Sequence, residues 1–332
     1  MTEREIIETI AESFARSPLQ QNGLFASDAE ILELGGCRLA VTVDDYSAED
    51  RLAADDPALL GWNLVTATVS DLLAVGAEPR FLLNSLVTTP AMDGPYLRAL
   101  AAGMQEALAA CGATMAGGDI GTGAAWRFTG VALGDFRAGQ VPLSRILPPG
   151  AGAGAVMVTG AFGDGNLAAA TGGPAPRFEL RLAESAALAG LAAPAACIDT
   201  SDGLASALET LCGLHADLRI EIDPAAVPYA PGVIDAAAAM RVPPEVFLMG
   251  SAGEYELLAL IPDGAITAVE RAGLRRVGTF TTGAQPGLHF MREARFVPLP
   301  KLPDPREVAS FELYCANLIE LAQSVFGSRG RR

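Results

Sequence analysis

One lysine and two histidines in 332 residues exclude much of the usual chemistry of nucleotide and metal enzymes. The lysine, Lys301, sits in LPKLPDP, so the GxxxxGK[ST] phosphate loop and the strand lysine of protein kinases are both missing. His215 and His289 are too few for a His-rich zinc site and argue against a Ser-His-Asp triad. The five cysteines, Cys37, Cys111, Cys197, Cys212 and Cys315, form no CxxC pair. An odd number in a long chain suits reduced thiols and a cytoplasmic protein better than a disulfide framework. No apolar run reaches the length of a membrane span. Glu3, Glu5, Glu8 and Glu12 make the first twenty residues too acidic for a signal peptide. A formal charge of −16 leaves no basic face for sequence-independent nucleic-acid binding. The expected partners are therefore small molecules, with neither nucleic acid nor membrane. Any nucleotide phosphate must be met by metal ions, arginines and backbone amides.

What is present begins with length enough for two domains. Half of the residues are hydrophobic. The segment Leu147–Ala155, LPPGAGAGA, is the best linker, because Pro and Gly crowd there and periodicity stops. It divides the chain into domains over 1–148 and 149–332. Residues 2–17 read as a helix with Thr2 and Glu5 spaced as a capping box. Cys37–Asp44, Phe81–Thr88, Ala113–Ala116 and Arg127–Leu133 read as strands, and Pro95–Cys111 as a helix closed by Gly112. In the second half, Ala155–Thr159, Leu218–Ile222 and Leu257–Ile261 read as strands. Helices are expected after GAFGDG (160–165), over 179–190, and through Leu214 after the opening stretch Cys197–Leu204. A final turn-and-strand segment begins at Val277-Gly278, and the tail from Gly327 reads as disordered. Strands run in succession near residues 24–44 and 113–133, so two α/β sandwich domains are expected rather than one doubly wound sheet.

The stretch NLVTATVSDLLAVGAEP (63–79) anchors the first half. Asp56 can cap its helix, Pro57 suits the first turn, and Gly76 can end it. Near the end of this mostly apolar helix stands Asp71, which alone would read as a surface residue on the wet side. It is not alone. Asp28, Asp44, Asp119, Asp199 and Asp202 also sit at the ends of elements rather than on helix faces. As isolated residues, Asp199 and Asp202 are N-cap candidates and Asp119 a turn residue after Gly117-Gly118. Converging at one sheet edge, they repel unless cations sit between them. Oxygen ligands without His or Cys select Mg²⁺ or Ca²⁺, and Mg²⁺ held by a few carboxylates suits a nucleoside triphosphate.

The motifs in order are Ser27-Asp28-Ala29, Val41-Thr42-Val43-Asp44, SDLLAVGAEP (70–79), GGD (117–119), IDTSDGL (198–204) and GEYELL (253–258). Over nearly its whole length the chain thereby resembles the AIR synthetase superfamily, in particular its thiamine-phosphate kinases. That resemblance implies an α/β, two-domain PurM-like fold. Its N-terminal domains join in a homodimer to form a central β-barrel, and each C-terminal domain is an α/β sandwich. It implies an ATP-dependent kinase in which Asp28, Asp44, Asp71, Asp119, Asp199 and Asp202 hold Mg²⁺, with Asp71 bridging ions. Asp71, Asp119 and Asp202 would then be the catalytic carboxylates. Ser201, Arg145, Gly117 and Gly118 would meet ATP, and Arg51 and Glu254 an anionic acceptor.

Some positions depart from the family pattern. Ser27 replaces the first Asp of the acidic turn, Val43 replaces a hydroxyl before Asp44, Arg51 stands for a His, and GEYELL is one residue short. These differences suggest an anionic acceptor for which thiamine phosphate is a poor substitute. Two other readings remain: a synthetase of the AIR type that activates a carbonyl oxygen, and a non-catalytic nucleotide-binding paralogue.

Overall fold

The computed structural model describes residues 3–191, 196–283 and 285–327. The first half contains α1 (Glu3–Ala11), β1 (Glu30–Leu34), β2 (Cys37–Ser47), α2 (Pro57–Ala74), β3 (Glu78–Thr88), α3 (Gly94–Cys111), β4 (Thr114–Thr122) and β5 (Arg127–Asp135). The second half opens with β6 (Ala153–Val158), α4 (Asp164–Thr171), α5 (Leu182–Ala189), β7 (Ala196–Asp199), α6 (Leu204–Leu214) and β8 (Leu218–Ile222). Next come α7 (Val233–Met240), α8 (Val246–Met249), β9 (Leu257–Pro262) and α9 (Ile266–Arg271). It closes with β10 (Arg275–Thr282), β11 (Gly287–Arg292), β12 (Arg295–Pro298) and α10 (Phe311–Phe326).

The strands form two sheets. Five from the first half lie in the order β1-β2-β5-β3-β4, and seven from the second in the order β12-β11-β8-β10-β6-β9-β7. In the first sheet only β3 and β4 run parallel. This is the mixed α/β arrangement the sequence leads one to expect.

Helix α2 is the element both sheets share. Asp56 caps it, accepting from the Ala58 N–H at 3.2 Å. All residues from Leu60 to Ala74 except Asp71 are buried. A helix apolar all round is buried all round, so this one is not the amphipathic surface helix that a lone Asp71 would suggest. It packs closely on α3, because a Cβ on Gly61 would sit 2.0 Å from the Leu100 carbonyl oxygen and one on Gly103 1.8 Å from that of Ala58. Trp62 Nε1 donates to the Phe178 carbonyl at 2.6 Å, and Ser185 Oγ donates to the Leu73 carbonyl at 2.6 Å. Both contacts tie the helix to the second half of the chain.

Several boundaries differ from the sequence reading. β2 runs on to Ser47 and β4 to Thr122, so Asp44 and Asp119 lie within strands rather than ending them. Ladder pairing with β5 and β3 outweighs the local turn signals there. The first helix stops at Ala11, and Thr2 and the tail from 328 lie outside the described residues. Asp199 and Asp202 do not cap α6, whose N-cap is Gly203 with no side-chain cap bond. Helices α7 and α8 occupy a stretch that its prolines made look irregular, and α9 and α10 escaped the sequence reading too.

Candidate active site

Three carboxylates meet where α2, β7 and the 23–28 loop converge. One oxygen from each of Asp28, Asp71 and Asp199 lies within 4.8 Å of the others. At that spacing two unit charges repel by roughly 3 kcal/mol in an effective dielectric of about 20. Arg145 offsets one of them, donating from Nη2 to Asp28 Oδ1 at 2.7 Å and from Nε at 3.2 Å. Ser70 Oγ donates to Asp199 Oδ2 at 2.8 Å, and Ser201 Oγ to Asp199 Oδ1 at 3.1 Å. The Thr42 hydroxyl donates to Asp71 Oδ2. The other oxygen of Asp28, Oδ2, is buried with no hydrogen-bond partner.

Electrostatics follow from this crowding. Burial, then the charge of Asp28, pushes the Asp199 carboxyl up to about 7. Burial, followed by the charges of Asp199 and Asp28, raises Asp71 well above the ordinary carboxylate range, and the Thr42 hydroxyl works against the rise. Asp44 is pushed up to about 6, chiefly by burial. A cluster that resists ionisation and leaves a buried oxygen lone is suited to a hard divalent cation, which neutralises the charge and fills the open coordination direction. The donor set fits Mg²⁺.

Two cavities open beside this cluster. One, of about 730 Å³, is lined by the three carboxylates, Arg145, Phe25 and Arg4. The other, of about 530 Å³, is lined by Tyr46, Tyr255, Phe311 and by Asp44, Asp45 and Asp50. They share Ser201, Asp202, Gly250, Ser251, Pro305, Arg306 and Tyr314, so the loop after β7 forms part of the wall where they meet.

Residues 26–134 match the family model described as AIR synthase related protein, N-terminal domain. The thiamine-monophosphate kinase of Methanospirillum hungatei is 30% identical over 275 residues, spanning 79% of this chain and 87% of that protein. The chain belongs to the thiamine-monophosphate kinase family. The Methanopyrus kandleri member is 29% identical over 309 residues, spanning 88% of this chain and 93% of that protein. A solved structure, AaThiL complexed with AMPPCP and TMP, superposes with a TM-score of 0.74 at 19% identity, over 90% of this chain and 95% of that one.

Of the site residues expected from sequence, the structure gathers Asp28, Asp71, Asp199, Arg145, Ser201, Asp202 and, on the second cavity, Asp44 and Arg51. It does not bring Asp119, Gly117 or Gly118 to them. All three are exposed on the edge strand β4 and line neither cavity. Sheet order and register together explain why, since β4 lies three strand spacings, about 14 Å, from β2. Asp119 falls in the row Ser85–Thr129–Asp45, one step from the row Gly118–Asn84–Gly130–Asp44, so it lies on the opposite face of the sheet from Asp44. Glu254 is buried and supports the Gly163 turn, accepting from the Gly163 N–H at 2.9 Å. It lines neither cavity, whereas its neighbours Gly253 and Tyr255 line the second. Arg51 lies 4.2 Å over the Phe311 ring.

Sequence reasoning also misjudged position 43. Val43 is 64% exposed on the far face of β2, and the hydroxyl that matters belongs to its neighbour Thr42. Strand alternation from Asp44 would have found Thr42. Ser70, inside the SDLLAVGAEP motif, could have been found by its position next to Asp71. Tyr255 and Phe311 carried no comparable signal, because they reach the cavity from segments far along the chain.

Proposed function

We propose that this protein transfers the γ-phosphoryl group of Mg-ATP to the phosphate of thiamine phosphate. The observation that carries this reading is the meeting of two cavities at Ser201–Asp202, one holding the carboxylate cluster and the other lined by aromatic rings and acids. The nucleotide occupies the larger cavity with its β- and γ-phosphates toward Asp28, Asp71 and Asp199. Mg²⁺ held there supplies charge neutralisation for the transferring group. Arg145, fixed by Asp28, faces the phosphates, and Ser70 and Thr42 hold the Asp199 and Asp71 carboxylates in place. Asp202 stands between donor and acceptor. No protein base is needed, because the attacking phosphate oxygen is already ionised.

The acceptor cavity favours a flat cationic body with an anionic head. Tyr46, Tyr255 and Phe311 offer rings, and Asp44, Asp45, Glu49, Asp50 and Asp202 outnumber Arg51 and Arg306. The differences that made thiamine phosphate look a poor acceptor lose their force in this setting. Val43 faces away, Glu254 props a turn, and Arg51 is stacked on the Phe311 ring in the cavity wall.

A homodimer belongs to the same reading. β4 is an edge strand exposed along nearly its whole length, and Val43, Phe81, Leu83, Met115 and Ile120 leave apolar surface open on this sheet. An open edge with an apolar face is a pairing surface, and a second copy closes it into a barrel. The domain division at 148/149 agrees with the two sheets, whose strands end at Asp135 and resume at Ala153. A cytoplasmic location accords with the free cysteines; no helix among the described residues is long and apolar enough to cross a membrane.

Purified protein incubated with Mg-ATP and thiamine phosphate is expected to yield thiamine diphosphate and ADP in equal amounts, with loss of product on chelating Mg²⁺. ATP consumed without thiamine diphosphate would overturn the acceptor assignment.

A further inference from the structure

Phe25 has a left-handed backbone, φ 62°, which a bulky side chain adopts only where its surroundings over-determine it. The surroundings here are specific. The carbonyl of the next residue, Ala26, accepts from the Arg145 N–H at 2.8 Å and from Ser144 Oγ at 2.7 Å. The same Arg145 clamps Asp28, three residues along. The strained turn is thus pinned to the frame that holds the carboxylate cluster. Its effect is to leave the Phe25 ring half-buried in the wall of the cavity of about 730 Å³ rather than in the core. The ring face is taken by the Arg4 guanidinium, 5.1 Å from the centroid, and Arg4 and Ile7 of α1 line the same cavity.

An exposed ring face that already attracts a planar cation suits a planar π-system. Once the phosphates lie on Asp28, Asp71 and Asp199, the base must lie elsewhere in that cavity. The only other ring in its wall among the described residues is Tyr314, which is 2% exposed and sits on the side shared with the acceptor cavity. Three residues of chain separate Phe25 from Asp28, a reach of at most about 10 Å. That is comparable with the separation of base and β-phosphate in an extended nucleotide.

We propose that Phe25 is the stacking platform for the nucleobase and that Arg4 holds its ring face until the base arrives. This rests on the nucleotide reading of the larger cavity but not on the identity of the acceptor. The test is calorimetric titration of the full-length protein, Phe25→Ala and Phe25→Trp with Mg-ATP and with Mg-bound inorganic triphosphate, which has no base. Phe25→Ala is expected to weaken ATP about 10- to 100-fold, within the range seen for deleted base–aromatic stacks. Triphosphate should bind as before, and Phe25→Trp should keep ATP affinity within about threefold of the parent.

Unchanged ATP affinity in Phe25→Ala overturns the proposal. So does an equal loss of ATP and triphosphate, which would place the damage at Asp28 rather than at a base. A parent protein that binds neither compound overturns it together with the nucleotide reading. A parent that binds ATP but leaves thiamine phosphate unmodified overturns only the acceptor assignment, and the titrations still decide Phe25.

Discussion

The two sheets treat their surfaces differently. In the second, β7, β9 and β6 are buried almost throughout, between α6 on one side and α5 and α9 on the other. In the first, α2 and α3 cover one face, while the other leaves Val43 64% and Phe81 49% exposed. Leu83, in the same row as Val43, adds to it at 37% exposed. One sheet has a finished core; the other is finished only on the side that faces the carboxylate cluster. The site was built on the finished side, and the open side is available for self-association. Asp44 and Thr42 on one face of β2, and Val43 on the other, show the division within three residues.

The largest effect expected is at the centre of the finished side. Asp71→Asn should lower Mg-dependent kcat/KM by about a thousandfold or more, since it removes charge from a carboxylate placed between two others. The metal-free protein should melt no earlier than the parent, because burial already disfavours the Asp71 carboxylate and Asn needs no charge at that site. Turnover within a few-fold of the parent would show that Asp71 holds no metal.

The next experiment attacks the open side. Leu83→Lys puts a charge on the exposed apolar face, in the same row as Val43, and is expected to convert a dimer to a monomer by light scattering at micromolar concentration. A wild-type monomer under the same conditions would break the comparison outright.

Acid should act on the finished side. Asp44 and Asp199 titrate near 6 and 7 in the folded protein, above the ordinary carboxylate value. A raised carboxyl gives stability that is present below its unfolded pKa and lost as pH rises through the folded value. The metal-free melting temperature should therefore fall between pH 5 and 8. Mg²⁺ competes with those protons, so its affinity should rise about tenfold from pH 6 to 8. A flat profile in both measurements would mean the carboxylates are already ionised without metal.

Smaller effects separate the two faces of β2. Thr42→Val removes the hydroxyl that donates to Asp71, and a bond to a charged group is worth about 1.5–3 kcal/mol, so Mg²⁺ should bind roughly tenfold or more weakly. Val43→Thr should change Mg²⁺ affinity less than about twofold. Equal effects at both positions would contradict the facing of the strand.

Much of this protein was legible in its sequence because the signals are local. The missing lysines and histidines excluded whole mechanisms. The run of small and apolar residues after Asp56-Pro57 set α2, and the alternation in CRLAVTVD set β2. The acids at motif positions 28, 71 and 199 stood out as a candidate oxygen-ligand set before any geometry was known, and the structure brings them together. What the tertiary structure decided is which groups meet. Sheet order and strand register, long-range properties, kept Asp119 on a distant edge strand and put Thr42 rather than Val43 beside Asp71. Helix α10 brought Phe311 to a cavity wall where it stacks with Arg51, some 260 residues earlier in the chain. Turn and periodicity signals reach only a few residues along the backbone, whereas pairing and burial are settled by the whole sheet, so local residues fix the chemistry available and only the packed chain fixes where it happens.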